Sequence, residues 1–369
     1  MAQNEDESEE ANLPPVLKAS VHDVRYFATL LRGVNFVNRA TVTIARSGFI
    51  VVVEEARTLL GTAYIFAHVF DEYTYNSETA TAPQDSQNSD PDEEDNVAFE
   101  IPLNTLIECL NIFGTAGSIG AVTGSSTGTY KKWKRSGDGS DQEGDDDDGH
   151  GRRTSSGTGG TRGIENYFGN ASDKGTGMRM SYAGSGCPLT LLIAEDAAGP
   201  TTTCEITTYE PEPHLQLPFE SERMVLKIIL KSSWLRDALS ELDPSCDKLT
   251  FIGNPPPAAN GRQQPRTAGG TPMLRIQAVG TLGSTEMDYP NDRDVLETFE
   301  CTRPVSFSYR FGHISRTLRA LQSSTKTSLR IDDEGLLSLQ FLMPSPTKIA
   351  ADSQAFIEFR CLALDDELE

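Results

Sequence analysis

The chain has 369 residues, room for two ordinary domains or one large domain with insertions. It carries 54 acidic against 32 basic side chains, a formal net charge of -22, which taken whole argues against a nucleic-acid partner. No apolar run of about 18 residues occurs, so an ordinary transmembrane helix, and with it a membrane partner, is not expected.

The acids are unevenly placed. Residues 1–10 hold five, 77–96 seven, 138–148 seven and 365–369 four, and none of these stretches contains Lys or Arg. Outside them 31 acids face 32 bases, so the acidity belongs to tails and loops. The opening MAQNEDESEE is acidic and polar, the wrong composition for a secretory or organellar leader. The expectation is an intracellular protein whose six cysteines (Cys109, Cys187, Cys204, Cys246, Cys301 and Cys361) are reduced thiols, since their spacing shows no pairing.

In chain order, residues 1–15 read as an acidic disordered tail. The first helical stripe is Val21, Val24, Ala28 and Leu31 within 21–33. Strand alternation follows at 41–54 around Ser47-Gly48. Residues 77–96 lack large apolar side chains and read as a disordered loop. A second stripe, Leu103, Leu106, Ile107 and Leu110, lies within 102–113, with Pro102 suited to a first helical turn. Residues 114–177 hold 17 of the 31 glycines and the DDDD run at 145–148, too polar to bury a core. Strands are expected again at 178–194 around GSGCP.

From about residue 223 the same order begins anew. The third stripe, Leu235, Leu239 and Leu242, lies within 231–242 and stops at Pro244. Residues 254–270 form a Pro/Gly loop, 305–311 read as strand, and the fourth stripe is Ile314, Leu318 and Leu321 within 312–322. Thr327, Leu329 and Ile331, then Leu337, Leu339, Phe341 and Met343, alternate about a DDEG turn and predict a hairpin; 355–362 is a last strand. This gives two similar halves, 16–209 and 223–362, joined by a Pro-containing extended connector at 210–222, with insertions at 77–96, 114–177 and 254–270 and an acidic tail at 363–369. The fold class is α+β, each half being antiparallel sheets with two helices on one face.

Catalytic and cofactor signatures are absent from the sequence. There is no GxxxxGK[ST], no strict GxGxxG after a strand, no HExxH or Cys/His metal spacing and no GxSxG elbow. No cofactor, metal ligand or catalytic residue is assigned. The outer helix faces are more informative: His22, Arg25, Thr29 and Arg32 share a stripe, Arg316 and Arg319 lie opposite Ile314 and Leu318, and Lys231 and Arg236 flank the third helix beside Asp237 and Glu241. On charge alone these are ordinary solvated faces.

Local sequence points to a family. VHDVRYFATLLRGVNFVNRATVTIARSGFIVVVEEARTLLGTAYIFAHVF (21–70), LNTLIECLNIFG (103–114), MDYPNDRDVLETFEC (287–301), SLRIDDEGLLSLQFLM (328–343) and FRCLALDDELE (359–369) are similar, in that order, to the Rad-one family, one subunit of the nine-one-one DNA-damage checkpoint clamp, a relative of proliferating cell nuclear antigen. The Gly/Asp-rich insertion departs from the family's compact pattern.

The resemblance implies two sliding-clamp halves and a nuclear, non-catalytic subunit. This subunit would form a heterotrimeric ring with two related clamp subunits, be loaded by a clamp loader and recruit checkpoint signalling and DNA-repair proteins. It implies that His22, Arg25, Arg32, Lys231, Arg236, Arg316 and Arg319 face double-stranded DNA without sequence preference. It also implies that the edges at 200–209 (Thr203, Ile206, Tyr209) and 282–289 (Leu282, Met287, Tyr289) join neighbouring subunits. Leu215, Leu217 and Phe219 either line a groove for partner peptides or anchor the connector. The runner-up function is a 3'-5' DNA exonuclease acting in repair, and a scaffold that never meets DNA is the third.

Overall fold

Period-two alternation builds nine strands in each half of the chain among the described residues, which are 14–77, 96–114, 116, 175–195, 199–256, 272–290, 292–345 and 355–365 of a computed structural model. The expected tails and three insertions lie almost wholly outside these residues. All described residues belong to one compact unit; the other, Gly120–Lys174, lies outside them.

The first half runs β1 (Leu17–Val21), α1 (Val24–Gly33), β2 (Arg39–Ala45), β3 (Gly48–Glu55), β4 (Leu59–Phe66), β5 (Glu72–Tyr75), β6 (Val97–Pro102), α2 (Leu103–Leu110), β7 (Gly177–Tyr182), β8 (Leu189–Ala194) and β9 (Thr201–Ile206). The second runs β10 (Met224–Lys231), α3 (Ser232–Ser240), β11 (Cys246–Gly253), β12 (Leu274–Gly280), β13 (Gly283–Tyr289), β14 (Leu296–Cys301), β15 (Val305–Arg310), α4 (Phe311–Arg316), α5 (Leu318–Ser323), β16 (Lys326–Asp332), β17 (Leu337–Leu342) and β18 (Phe356–Cys361).

The expected hairpins form, Leu329 facing Leu339 and Thr327 facing Phe341. The expected fourth helix is instead two. Buried Thr317 donates its hydroxyl to the Ile314 carbonyl at 2.7 Å, and its own N–H bonds the same oxygen at 3.0 Å, which tightens the turn and breaks the α-helical ladder.

The strand orders repeat. A five-stranded sheet, β5-β1-β7-β8-β9, has its counterpart in β14-β10-β16-β17-β18; the set β4-β3-β2-β6 has its counterpart in the four-stranded sheet β13-β12-β11-β15. Within the chain β18 pairs antiparallel with β4, from Phe356↔Tyr64 to Cys361↔Leu59, which fuses two of these sets into one nine-stranded sheet. One hydrophobic core runs through both halves.

The helices form a row in the contact order α2, α1, α5, α3, with α4 against α5. Gly33 shows how close the row sits to the junction. A Cβ there would lie 2.3 Å from Ile357 Cδ1 on β18 and 3.4 Å from Ala320 Cβ on α5, so only hydrogen fits without a shift.

Candidate nucleic-acid interface and open sheet edges

Helix α1 begins at Asp23, whose carboxylate accepts the Arg25 backbone N–H at 2.9 Å. Arg25 Nε also donates to it, at 2.8 and 3.0 Å, and Nη2 lies 2.6 Å away. Burial alone would raise the Asp23 carboxyl; the hydrogen bonds and charge of Arg25 outweigh it and hold the group below its ordinary range. Arg25, Thr29 and Arg32 are the partly exposed stripe of an otherwise buried helix, as the spacing predicts.

Arg32 donates to the Ala116 carbonyl, and Arg319 of α5 stands close enough for its charge, after burial, to depress the Arg32 guanidinium further. Two neighbouring cations on one helix row form a place where an anion relieves repulsion. The other expected cations are distributed differently. His22 Nδ1 meets Asp71 at 2.6 Å, Arg236 is engaged by Asp237 at 2.9 Å, and Arg316 holds Glu55 with two bonds of 3.1 and 2.9 Å. Lys231, the last residue of β10, and Arg319 are exposed and without an ion pair among the described residues. Sequence reasoning missed Lys248 and Arg310, cross-strand partners on β11 and β15 that line an open cavity of 840 Å³ with His313 and Arg316. Separated by 62 positions, they leave no local signal.

The expected interface residues fall on two sheet edges. β9 ends the five-stranded sheet and β13 the four-stranded one, and among the described residues neither has an outer partner strand. Thr203 is exposed there and Met287 half-buried, whereas Ile206 and Tyr289 point into the core. Leu282, 84 % exposed, occupies the β12–β13 turn. Tyr209 corrects one expectation: its backbone makes a two-bond bridge to Glu100 of β6, at 2.9 and 2.8 Å, so the β9 edge ends at Ile206 and does not extend to 209.

The connector side chains face inward. Leu217 is buried in a small cluster with Val52, Leu60 and Leu336, and Leu215 and Phe219 pack on it. Leu215 N–H donates to Glu54 at 2.6 Å, Arg360 Nη1 donates to the Leu217 carbonyl at 2.7 Å, and the Arg330 guanidinium lies 5.8 Å from the Phe219 ring centre. These contacts hold the connector against β3, β4, β16 and β18.

The three buried acids among the described residues are each engaged by the fold: Glu100 by Arg39, Asp332 by the N–H groups of Glu334 and Leu336, and Glu358 by Ser338, Gln340 and Arg360. Among the described residues no three His, Cys, Asp or Glu side chains gather as a metal site. All six cysteines are unpaired, and burial pushes the Cys361 thiol up to about 12.

Two antiparallel halves of matching strand order, a row of helices across both and a matched pair of edges define a sliding-clamp subunit. The chain belongs to the family described as repair protein Rad1/Rec1/Rad17, which matches residues 16–343. It is 30 % identical to the mouse (Mus musculus) cell cycle checkpoint protein RAD1, over 94 % of this chain and 91 % of that protein. It is 29 % identical to the DNA repair exonuclease REC1 of Mycosarcoma maydis, over 95 % of this chain and 96 % of that one. With the DNA damage checkpoint control protein rad1 of Schizosaccharomyces pombe it shares 34 % identity over 52 % of this chain and 54 % of that protein.

Proposed function

We propose that this chain is a non-catalytic subunit of a heterotrimeric ring that encircles DNA and recruits checkpoint and repair proteins. The observation that carries the reading is the internal repeat. The β18–β4 pairing closes one junction inside the chain, while their counterparts β9 and β13 stay open among the described residues. A neighbouring subunit repeats the same junction at each open edge, and repetition through a fixed rotation closes a ring. Open edges left unpaired are an aggregation hazard, which is a reason for partners to be constant. The division into domains 16–209 and 223–362 around a connector at 210–222 belongs to this proposal.

In such a ring the helix row lines the hole. Arg319, Arg32 and Lys231 then meet phosphates, with Arg25, Arg236, Arg316 and His22 beside them. Contacts of this kind are sequence-independent and weaken with salt, as sliding requires. The subunit works in the nucleus with two related clamp subunits and a loader. Co-expression with two related clamp subunits followed by native mass spectrometry tests the reading: a three-chain ring is expected, and a stable homotrimer overturns it.

The name of the Mycosarcoma maydis relative, DNA repair exonuclease REC1, favours a second reading, a DNA exonuclease. Glu100, Asp332 and Glu358 all serve structural bonds, which supports the non-catalytic reading. Metal-dependent cleavage that survives purification and vanishes on Glu100→Gln, in a protein that stays folded, establishes the nuclease instead.

A further inference from the structure

The internal junction and the open edges share a geometry but not their charges. Each six-residue strand β9 and β18 pairs with its neighbour end to end, Leu189↔Ile206 matching Leu337↔Cys361, so Glu205 stands where Arg360 stands. Helices α2 and α4 each start directly after a strand, so Glu108, the sixth residue of α2, stands where Arg316 stands. Both acids are exposed. Arg316 bridges the internal junction to Glu55; Arg360 secures the connector through Leu217. The β9 edge therefore carries acids at both places where the closed junction carries bases.

The same counting gives the register a second copy of this chain would adopt. Val52↔Thr62 matches Gln277↔Glu286 and Glu55↔Leu59 matches Gly280↔Gly283. The internal pairs Glu358↔Thr62 and Arg360↔Leu60 then become Thr203 opposite Glu286 and Glu205 opposite Ser284. Glu205 lies diagonal to Glu286, roughly 7–8 Å away, inside the reach of like-charge repulsion. Asp288 adds a further acid on that face of β13, and the base opposite it on β12, Arg275, is shared between Glu286 and Asp288 at 2.7 and 2.6 Å. Glu108 would meet Gly280, not a base.

We infer that the β9 edge is selected by charge: it takes an edge strand and adjoining loop that present Lys or Arg, and it excludes the acidic β13 edge of a second copy of this chain. The inference rests on the clamp reading above and deepens it. A closed homotrimer would contain three such junctions, so a modest penalty at each multiplies in the ring.

The test is Glu205→Arg with Glu108→Arg, which puts bases at the two β9-side places where the internal junction has Arg360 and Arg316. In sedimentation velocity at low salt the wild type is expected at its 40.2 kDa monomer mass. The double variant, folded by circular dichroism, is expected at multiples of it, with self-association at least tenfold tighter and weakened by salt. Glu205→Gln is expected to fall between them. A folded double variant that stays monomeric, or a wild type that self-associates equally, overturns the inference. In rings formed with two related clamp subunits, the double variant is expected to bind at least tenfold more weakly. Unchanged ring formation sinks the charge selection and leaves the clamp reading standing; a wild type that enters no ring sinks the clamp reading itself.

Discussion

Arg316 on α4 grips Glu55 at the end of β3 with two parallel bonds, 3.1 Å from Nε and 2.9 Å from Nη2, across 261 positions of sequence. The pair ties the second half of the chain to the first. It also means that a substitution at Arg316 alters two things at once, the junction and the charge facing the helix row.

Arg319→Glu is therefore the cleaner test of the helix row, because Arg319 has no ion pair among the described residues. It also reverses the charge beside Arg32. Retention of reconstituted rings on circular DNA is expected to fall severalfold, and the slope of log affinity against log salt to drop by about 1 or more per subunit. Retention equal to wild type at low salt would remove α5 from the DNA-facing surface.

Arg316→Ala separates the two roles. The pair is about half exposed on the arginine side, so its loss is expected to lower stability by only about 0.2–1 kcal/mol. A denaturant titration reads this directly, and adding Glu55→Gln to it should change little more, since the two share one interaction.

Gly33→Val is expected to destabilise the chain by about 1–3 kcal/mol, because the added carbons collide with Ile357 and Ala320 at the junction of the halves. Gly33→Ala should cost less, since the nearest atom is the mobile end of the Ile357 side chain. Thermal melting of both, and recovery when Ile357→Val is combined with Gly33→Val, checks the contact.

Acid sensitivity should pass partly through Glu358. Burial alone would raise its carboxyl, but the bonds and charge of Arg360, with Ser338 and Gln340, outweigh it and hold the group below its ordinary range. A depressed carboxyl stabilises the fold above its unfolded pKa and loses that contribution as pH falls through its folded one. Glu358→Gln is expected to flatten the stability curve between roughly pH 5 and pH 3 while lowering stability at pH 7, as chemical denaturation at each pH will read.

Leu217→Ala should free the connector before it unfolds the rest. Its cluster is small and separate from the main core, so a loss near the low end of the core range, about 2 kcal/mol, is expected. Limited proteolysis should then cut within the connector while the sheets resist. Uniform digestion of the whole chain would show that the connector is not separately anchored.

Much of the fold could be read locally. The stripe Arg25, Thr29 and Arg32 follows from helical spacing, and the hairpin of β16 and β17 from alternation about a DDEG turn, because both patterns are set by neighbours within a few residues. The break at Thr317 escaped that reading: the apolar stripe continues through it, and what interrupts the helix is a buried hydroxyl returning to Ile314. Tyr209 escaped too, since only the fold brings Glu100 within reach to end the β9 edge.

The sequence by itself determined the two-fold order of strands and helices, the placing of the net acidity in tails and loops, and the outward stripe of Arg25, Thr29 and Arg32 on α1. These are consequences of periodicity and composition. Tertiary structure decided which outward charges have partners, that Arg316 belongs to Glu55 and that Glu205 stands where the internal junction has Arg360. Those relations join residues far apart in the chain, and pairing across a sheet or between halves is fixed by long-range packing that no local pattern encodes.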